Sequence, residues 1–146
     1  MFPSPNVRNI SIRPAIAFTY NNGSNDSAAG ADGLITCNTT DKLDGFTLST
    51  SVLTCLVPGC YSVKLNFSGL MAAGTAGCFY GYRKNGGATI WLKAINDTVV
   101  IPISAEFGIY LKYRDTIEFR QMGGDGATTA RTYYPQVLVK QISIFE

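Results

Sequence analysis

Apolar and polar residues alternate along most of this chain. From Ile10 to Tyr20 the larger apolar side chains occupy the even positions, and Ser, Arg, Ala and Thr fall between them. A period of two residues predicts a half-buried strand, which Pro14 places at a sheet edge or a bulge. The alternation returns in residues 60–69, 107–111 and 133–145.

Other segments complete an all-β pattern. Further strands are predicted at residues 34–37, 45–48, 51–57, 98–103 and 117–119, and a hairpin is centred on Asn85-Gly86-Gly87. The composition of residues 21–33 and 121–130 predicts loops. No ten-residue segment has a helical period, so roughly ten short strands predict a β-sandwich or barrel. The 146 residues suit one domain.

The segment LTCLVPGCYSVKLNF, residues 53–67, contains the most informative turn. An apolar strand ends at Pro58-Gly59, and an alternating strand begins at Tyr61. Gly59 supplies the backbone freedom that a corner requires. This order predicts a chain that passes from one sheet into another, with Tyr61 as the first residue of the inward row.

These residues resemble the globular head of complement component 1 subunit q and its tumour-necrosis-factor relatives. The family's spaced signature is matched by Asp41, Phe46, Gly59 and Tyr61, with aliphatic residues at Ile35, Leu53, Val63 and Leu65 where the family prefers aromatics. FGIYLKYRDTIEF resembles the family's strand, Gly-Asp turn and strand, although Arg114 stands where glycine is usual. The likeness runs from about Ala17 to the C-terminus. It implies a ten-stranded jelly roll that assembles as a tight homotrimer.

The resemblance also implies a trimer interface. If the row of Tyr61 faces the core, the alternate residues face outward. In the relatives such a row lies near the threefold axis, beside a second outward row. The corresponding residues here are Cys60, Ser62, Lys64, Ser104 and Glu106. Lys64 and Glu106 are expected to pair across subunits, and the alternative is a solvated strand face.

Candidate chemistry is sparse. The chain has no histidine and no G-x-S-x-G elbow, so we expect no enzyme, no catalytic residue and no cofactor. Asp125 alone supplies too few ligands for a metal site. The four cysteines are expected to be reduced and mostly buried, and disulfides are the alternative. The net charge of +2 and the absence of an 18-residue apolar stretch argue against a nucleic-acid partner and against membrane insertion.

The first residues form an expected arm. We divide the chain into an N-terminal arm with the start of the first strand, residues 1–15, and a jelly-roll domain, residues 16–146. Prolines favour an extended arm. Phe2 and Val7 would bury against a partner, and Arg8 and Arg13 would meet acidic groups.

No collagen repeat, anchor, secretory segment or shaft repeat is seen in the sequence. A small trimer with three short arms resembles a bacteriophage capsid cement (decoration) protein. Its expected partners are its own copies and the major capsid protein, and its expected place is the outer capsid surface of the virion, after assembly in the host cytoplasm. The alternative is the receptor-binding head of a phage tail fibre or spike, in which residues 21–33 and 121–132 contact the host. A third hypothesis is a secreted complement-like binding module.

Overall fold

The computed structural model describes residues 14–143. This range contains no helix, and therefore none that is long and apolar enough to cross a membrane. The strands are β1 (Ile16–Tyr20), β2 (Ser24–Asp26), β3 (Gly33–Leu34), β4 (Thr39–Asp44), β5 (Phe46–Ser49), β6 (Val52–Cys55), β7 (Gly59–Ala73), β8 (Cys78–Lys84), β9 (Ile90–Ile95), β10 (Ile101–Leu111), β11 (Thr116–Gly123) and β12 (Thr129–Ser143).

The strands form two antiparallel sheets. The first sheet has the order β10-β7-β12-β1-β4, with β2 paired to β12, and the second has the order β5-β6-β11-β8-β9, with β3 paired to β11. Strands that are adjacent in a sheet are often distant in sequence, as expected for a jelly roll. The predicted all-β, jelly-roll architecture is confirmed, with twelve strands, two of them very short, in the described range.

One apolar core fills the space between the sheets. The predicted inward row of β7 is confirmed, because Tyr61, Val63 and Leu65 are at most 1% exposed. Leu53 and Phe119 of the second sheet are also buried in this core. Full burial of a side chain of this size stabilises a fold by about 1.5–3 kcal/mol, so this row anchors the sandwich.

The Pro58-Gly59 corner joins the two sheets as predicted. β6 belongs to the second sheet and β7 to the first. The Tyr61 hydroxyl donates a hydrogen bond to the Val57 carbonyl oxygen and lies 3.8 Å from the Cys55 sulfur. Burial raises the pKa of Tyr61, so the phenol stays protonated and keeps this bond. A core side chain therefore fixes the loop that carries the chain between the sheets.

The first strand turns its small residues inward. Ala15, Ala17 and Thr19 are buried, whereas Phe18 and Tyr20 are half-buried on the outer face of the first sheet. Alternation defines two faces of a strand, but it does not say which face meets the core. A row of large apolar residues is consequently left on the surface of the sheet.

Several predicted boundaries differ from the structure. The predicted strand 98–103 is strand only at residues 101–103, which form one strand, β10, with the predicted strand 107–111. β4 was missed because its sequence is polar and it is largely exposed. The loop predicted at 121–130 contracts to residues 124–128. There the Asp125 carboxylate accepts hydrogen bonds from the Ala127 N–H (3.0 Å) and the Thr128 hydroxyl (2.7 Å), which close a tight turn.

One end of the sandwich, termed the base, contains the corner at residues 55–59, the turn at 112–116 and the hairpin turn at 85–89. Arg114 adopts a left-handed conformation with φ of 71°, and its N–H donates to the Cys55 carbonyl oxygen at 2.7 Å. The Asp115 carboxylate accepts from the Lys112 N–H (2.8 Å) and the Asn85 side-chain amide (2.9 Å). The turn therefore forms although Arg114 stands where the family that the sequence resembles usually has glycine.

Candidate self-association surface

The outer face of the first sheet is the surface on which the predicted interface residues meet. All five, Cys60, Ser62, Lys64, Ser104 and Glu106, lie on the alternate row of β7 or β10 that points away from the core. The two strands pair in register, and Lys64 stands directly opposite Glu106. The structure therefore brings the whole predicted set together.

The expected ion pair forms within one chain. The Lys64 ammonium lies 3.2 Å from the Glu106 carboxylate, and both side chains are about half exposed. The antiparallel register thus supplies Lys64 with a cross-strand partner within the chain, and pairing across subunits stays a prediction. Beside it, the Ser104 hydroxyl donates to the Asn66 side-chain oxygen at 2.8 Å. Two polar pairs on this face are thus satisfied within the chain.

Apolar side chains extend the face across β1 and β12. Phe18 and Tyr20 meet edge to face with ring centroids 6.4 Å apart. Leu138 lies on the outward row of β12, and Ile142, on the same row, is 63% exposed. We call this set, with the polar row above, the outer face: Ile16, Phe18, Tyr20, Cys60, Ser62, Lys64, Asn66, Ser104, Glu106, Leu138, Lys140 and Ile142.

Two shallow depressions follow the outer face. One of about 490 Å³ is lined by residues that include Lys64, Glu106, Leu138 and Ile142. The second, of about 110 Å³, is lined by Phe18 and shares Lys64 and Leu138 with the first. The two depressions adjoin at Lys64 and Leu138, so apolar and charged side chains alternate along this surface.

The sandwich also has an apolar edge, where the outermost strands of the two sheets, β9 and β10, run side by side. Tyr82 and Phe107 stack there with centroids 4.2 Å apart and an interplanar angle of 15°. Ile90, Val99 and Val100 are more than half exposed along this edge. Exposed apolar residues that gather in a patch mark interaction surfaces more often than scattered ones do.

Sequence reasoning missed most of the apolar part of this surface. Phe18 and Tyr20 were recognised as one row of a strand, and the row was not assigned to an interface. Leu138 was included in a strand without an assigned face. Trp91 is half-buried beside Phe79, with ring centroids 6.2 Å apart. The arm residues Phe2, Val7, Arg8 and Arg13 lie outside the described residues.

The thiols are suited to packing. All four cysteines are free, and Cys37, Cys55 and Cys78 are buried. Burial raises the pKa of Cys37 to about 12 and that of Cys78 to about 11, so both remain protonated and unreactive at neutral pH. Within residues 14–143, His, Cys, Asp and Glu side chains form no group of three or more that could hold a metal ion.

Solved structures share this architecture. The globular domain of zebrafish complement 1qA protein matches with a TM-score of 0.64 and 17% identity over 90% of this chain and 98% of its own. The Eiger TNF of S. frugiperda matches with a TM-score of 0.64 and 13% identity over 89% and 94%. The PRD1 vertex protein P5 matches with a TM-score of 0.63 and 14% identity over 88% and 97%.

At these identities the matches show the fold alone. No protein-family profile and no curated protein matches the sequence. The structural agreement covers nearly the whole described range and nearly the whole of each matched domain. The chain therefore has the jelly-roll fold of the C1q and TNF-like proteins.

Proposed function

We propose that this protein is a non-enzymatic structural module that acts as a homotrimer. The observation that carries the proposal is the outer face, on which Phe18 and Leu138 lie beside the paired Lys64 and Glu106. The same chain also has the exposed apolar edge at β9 and β10, which lacks the charged pair of the outer face. A face that packs on a different edge makes a heterologous contact, and repeated contacts of this kind form a ring when the rotation between neighbours closes and a filament when it does not.

The number three comes from the resemblance to the C1q and TNF-like superfamily. Assembly into a ring agrees with the half-buried state of Phe18 and Tyr20, because these side chains would lose their remaining exposure to water there. Each 100 Å² of apolar surface removed from water stabilises an assembly by about 2.5 kcal/mol before association entropy is subtracted.

The role that we propose for this trimer is capsid cement on the outer surface of a phage shell. Each protomer would straddle a seam between neighbouring copies of the major capsid protein, and binding only the expanded shell would stabilise it by linkage. The fold match to a protein named for its vertex position supports a virion role. Phe2, Val7, Arg8 and Arg13 of the arm are proposed to contact the shell.

The tail-fibre alternative rests on two apical loops. The structure narrows that possibility, because residues 121–123 and 129–132 of the second segment belong to β11 and β12, which leaves a loop of only residues 124–128. Short strand pairing between β2 and β12 holds part of the other loop, and the Arg131 guanidinium binds the Asp26 carboxylate through two nitrogens, at 2.6 and 2.9 Å. Loops held in this way leave little chain free to vary for host recognition.

Light scattering of Phe18→Asp tests the trimer. The wild type is expected at three times the chain mass, and the variant at one chain mass with unchanged far-ultraviolet circular dichroism. Thr47→Asp is the matched control, because Thr47 is exposed on β5 of the second sheet. A wild type that is monomeric at micromolar concentration refutes the trimer.

Purified shells test the cement role. Mass spectrometry should count hundreds of copies per particle, and shells stripped of the protein should lose integrity at a lower temperature. A count of a few copies at the tail tip would instead support the receptor-binding head. Shells that are equally heat-resistant without the protein would overturn the cement proposal.

A further inference from the structure

The base carries exposed apolar residues that the outer face does not use. Leu56 and Val57, in the corner after β6, are 39% and 38% exposed, and Tyr113, in the turn after β10, is 56% exposed. The two loops are joined by the hydrogen bond from the Arg114 N–H to the Cys55 carbonyl oxygen. These side chains therefore sit on neighbouring loops that are fixed to each other.

Two cations lie within the same turn. Lys112 and Arg114 are exposed, and within the described residues neither makes an ion pair. The Arg114 guanidinium lies 5.2 Å from the centroid of the Tyr113 ring. The nearby Asp115 carboxylate is held by the Lys112 N–H and by Asn85, and its ammonium partner is Lys84. We call Leu56, Val57, Lys112, Tyr113 and Arg114 the base patch.

Arg114 occupies a costly backbone position. Its φ of 71° lies in the left-handed region, where an L-residue with a side chain is disfavoured and glycine is not. The turn itself is secured by backbone and Asp115 hydrogen bonds that do not involve the Arg114 side chain. Strained residues tend to occur where the side chain has a use, so the outlier supports a binding role for the guanidinium.

Among the residues that precede Pro14 in the sequence, the charged side chains are all positive. The described chain begins at Pro14, and Ala15 lies beside Gly45 and Val57 at the base. The preceding 13 residues contain two arginines and no acid. Their sequence therefore supplies no carboxylate that could pair with Lys112 or Arg114.

We infer that the base patch is a docking surface for a protein surface that combines apolar side chains with carboxylates. Tyr and Arg are the residue types that most often dominate such interfaces, and a guanidinium that lies over an aromatic ring can bind a carboxylate with two hydrogen bonds. Two cations beside three apolar groups suit an acidic protein better than a phosphate backbone, which requires longer cationic tracks. Identifying this partner with a capsid shell rests on the proposed function.

A peptide probe tests the inference without assuming a shell. The probe is a fluorescent 16-residue peptide of alternating Glu and Leu or Phe, and a Lys-for-Glu version has the opposite charge. Fluorescence anisotropy with the full chain should show binding of the Glu peptide that weakens about tenfold in Arg114→Glu and in Tyr113→Ser. Binding should also weaken as salt rises.

Matched controls lie elsewhere on the molecule. Tyr134 is 60% exposed in β12, so Tyr134→Ser removes an equally exposed tyrosine, and Lys93→Glu reverses an exposed charge on β9. Both should bind the Glu peptide like the wild type. No binding of the Glu peptide, equal binding of the Lys peptide, or equal losses in the controls would overturn the inference. So would tighter binding of phosphatidylglycerol vesicles or duplex DNA than of the Glu peptide.

Stripped shells separate this inference from the cement proposal. If wild-type protein rebinds shells and Arg114→Glu rebinds equally well, the base patch is not the docking surface and the cement role stands. If wild-type protein does not rebind, the cement role falls, and the peptide result alone decides whether the base patch binds acidic apolar protein.

Discussion

Replacement of Arg114 by glycine should stabilise this protein relative to replacement by alanine. Both variants remove the guanidinium and its stem, so their difference reports only on the backbone at φ of 71°. A side chain in the left-handed region costs about 1–2 kcal/mol. Glycine avoids this cost, but its unfolded chain has more freedom to lose, which lowers the stability of the glycine variant by about 0.5–1 kcal/mol. The glycine variant should therefore be more stable than the alanine variant by about 0.5–1 kcal/mol.

Urea unfolding followed by tryptophan fluorescence measures this difference, since Trp91 is the single tryptophan. The two variants must be compared at one protein concentration, because unfolding of an oligomer depends on concentration. In a thermal scan, 1 kcal/mol corresponds to about 2–4 °C for a chain of this size, so the expected shift is about 1–4 °C.

Lys112 provides the control. It lies two residues earlier in the same exposed turn, and it is not among the residues with positive φ. There the order should reverse, with Lys112→Ala more stable than Lys112→Gly, since glycine carries only its entropic cost. An Arg114→Ala variant as stable as Arg114→Gly would refute the reasoning, and it would remove backbone strain from the argument for the base patch.

Three further results are expected. Leu65→Ala, at a core position that is 1% exposed, should lower the free energy of unfolding in urea by about 2–5 kcal/mol, and a loss below 1 kcal/mol would contradict the assigned core. The hydrogen bond from the Lys112 N–H lowers the pKa of Asp115 in the folded protein below its usual value of 3.8. The ionised carboxylate therefore stabilises the fold at pH values above 3.8, and this contribution is lost as pH falls through the lower folded pKa. Asp115→Asn should show a smaller fall in Tm than the wild type between pH 5 and pH 2, and an identical fall would show that Asp115 is not involved. In the monomeric Phe18→Asp variant, in which the outer face is uncovered, iodoacetamide should alkylate the half-buried Cys60 first, as peptide mass spectrometry can show, and earlier labelling of Cys37 would contradict its burial and raised pKa.

The sequence predicted the parts of the fold that follow from local chemistry. Period-two alternation located β7 and its inward row, and the Pro58-Gly59 pair marked the change of sheet. Asn85-Gly86 marked the hairpin between β8 and β9, and both residues have positive φ as such turns require. Each of these features is decided by a few neighbouring residues.

Features decided by distant pairing were missed. β4 is polar, and it is a strand only because β1 offers it an edge. β2 continues alongside β12 where β1 ends, and Asn25 is held there by the buried side chain of Gln121. Which of the two side-chain rows of β1 points inward depends on the space that the other strands leave in the core. Lys64 and Glu106 were expected to pair across subunits, and only the register between β7 and β10 shows that they also face each other within one chain.

The two proposed surfaces depend on each other through symmetry. A rotation about one axis carries each base patch onto the next, so a trimer presents three patches at one height on the same side. Contacts that are weak singly can then act together, and linking them raises the overall affinity by about 10²–10⁴. Phe18→Asp should therefore weaken rebinding to stripped shells by at least about 100-fold while its affinity for the Glu peptide, measured per chain in free solution, stays unchanged. Equal rebinding by the monomeric variant would mean that shell attachment does not depend on three contacts. Loss of peptide binding in the same folded variant would mean that the outer face, and not the base, recognises acidic partners.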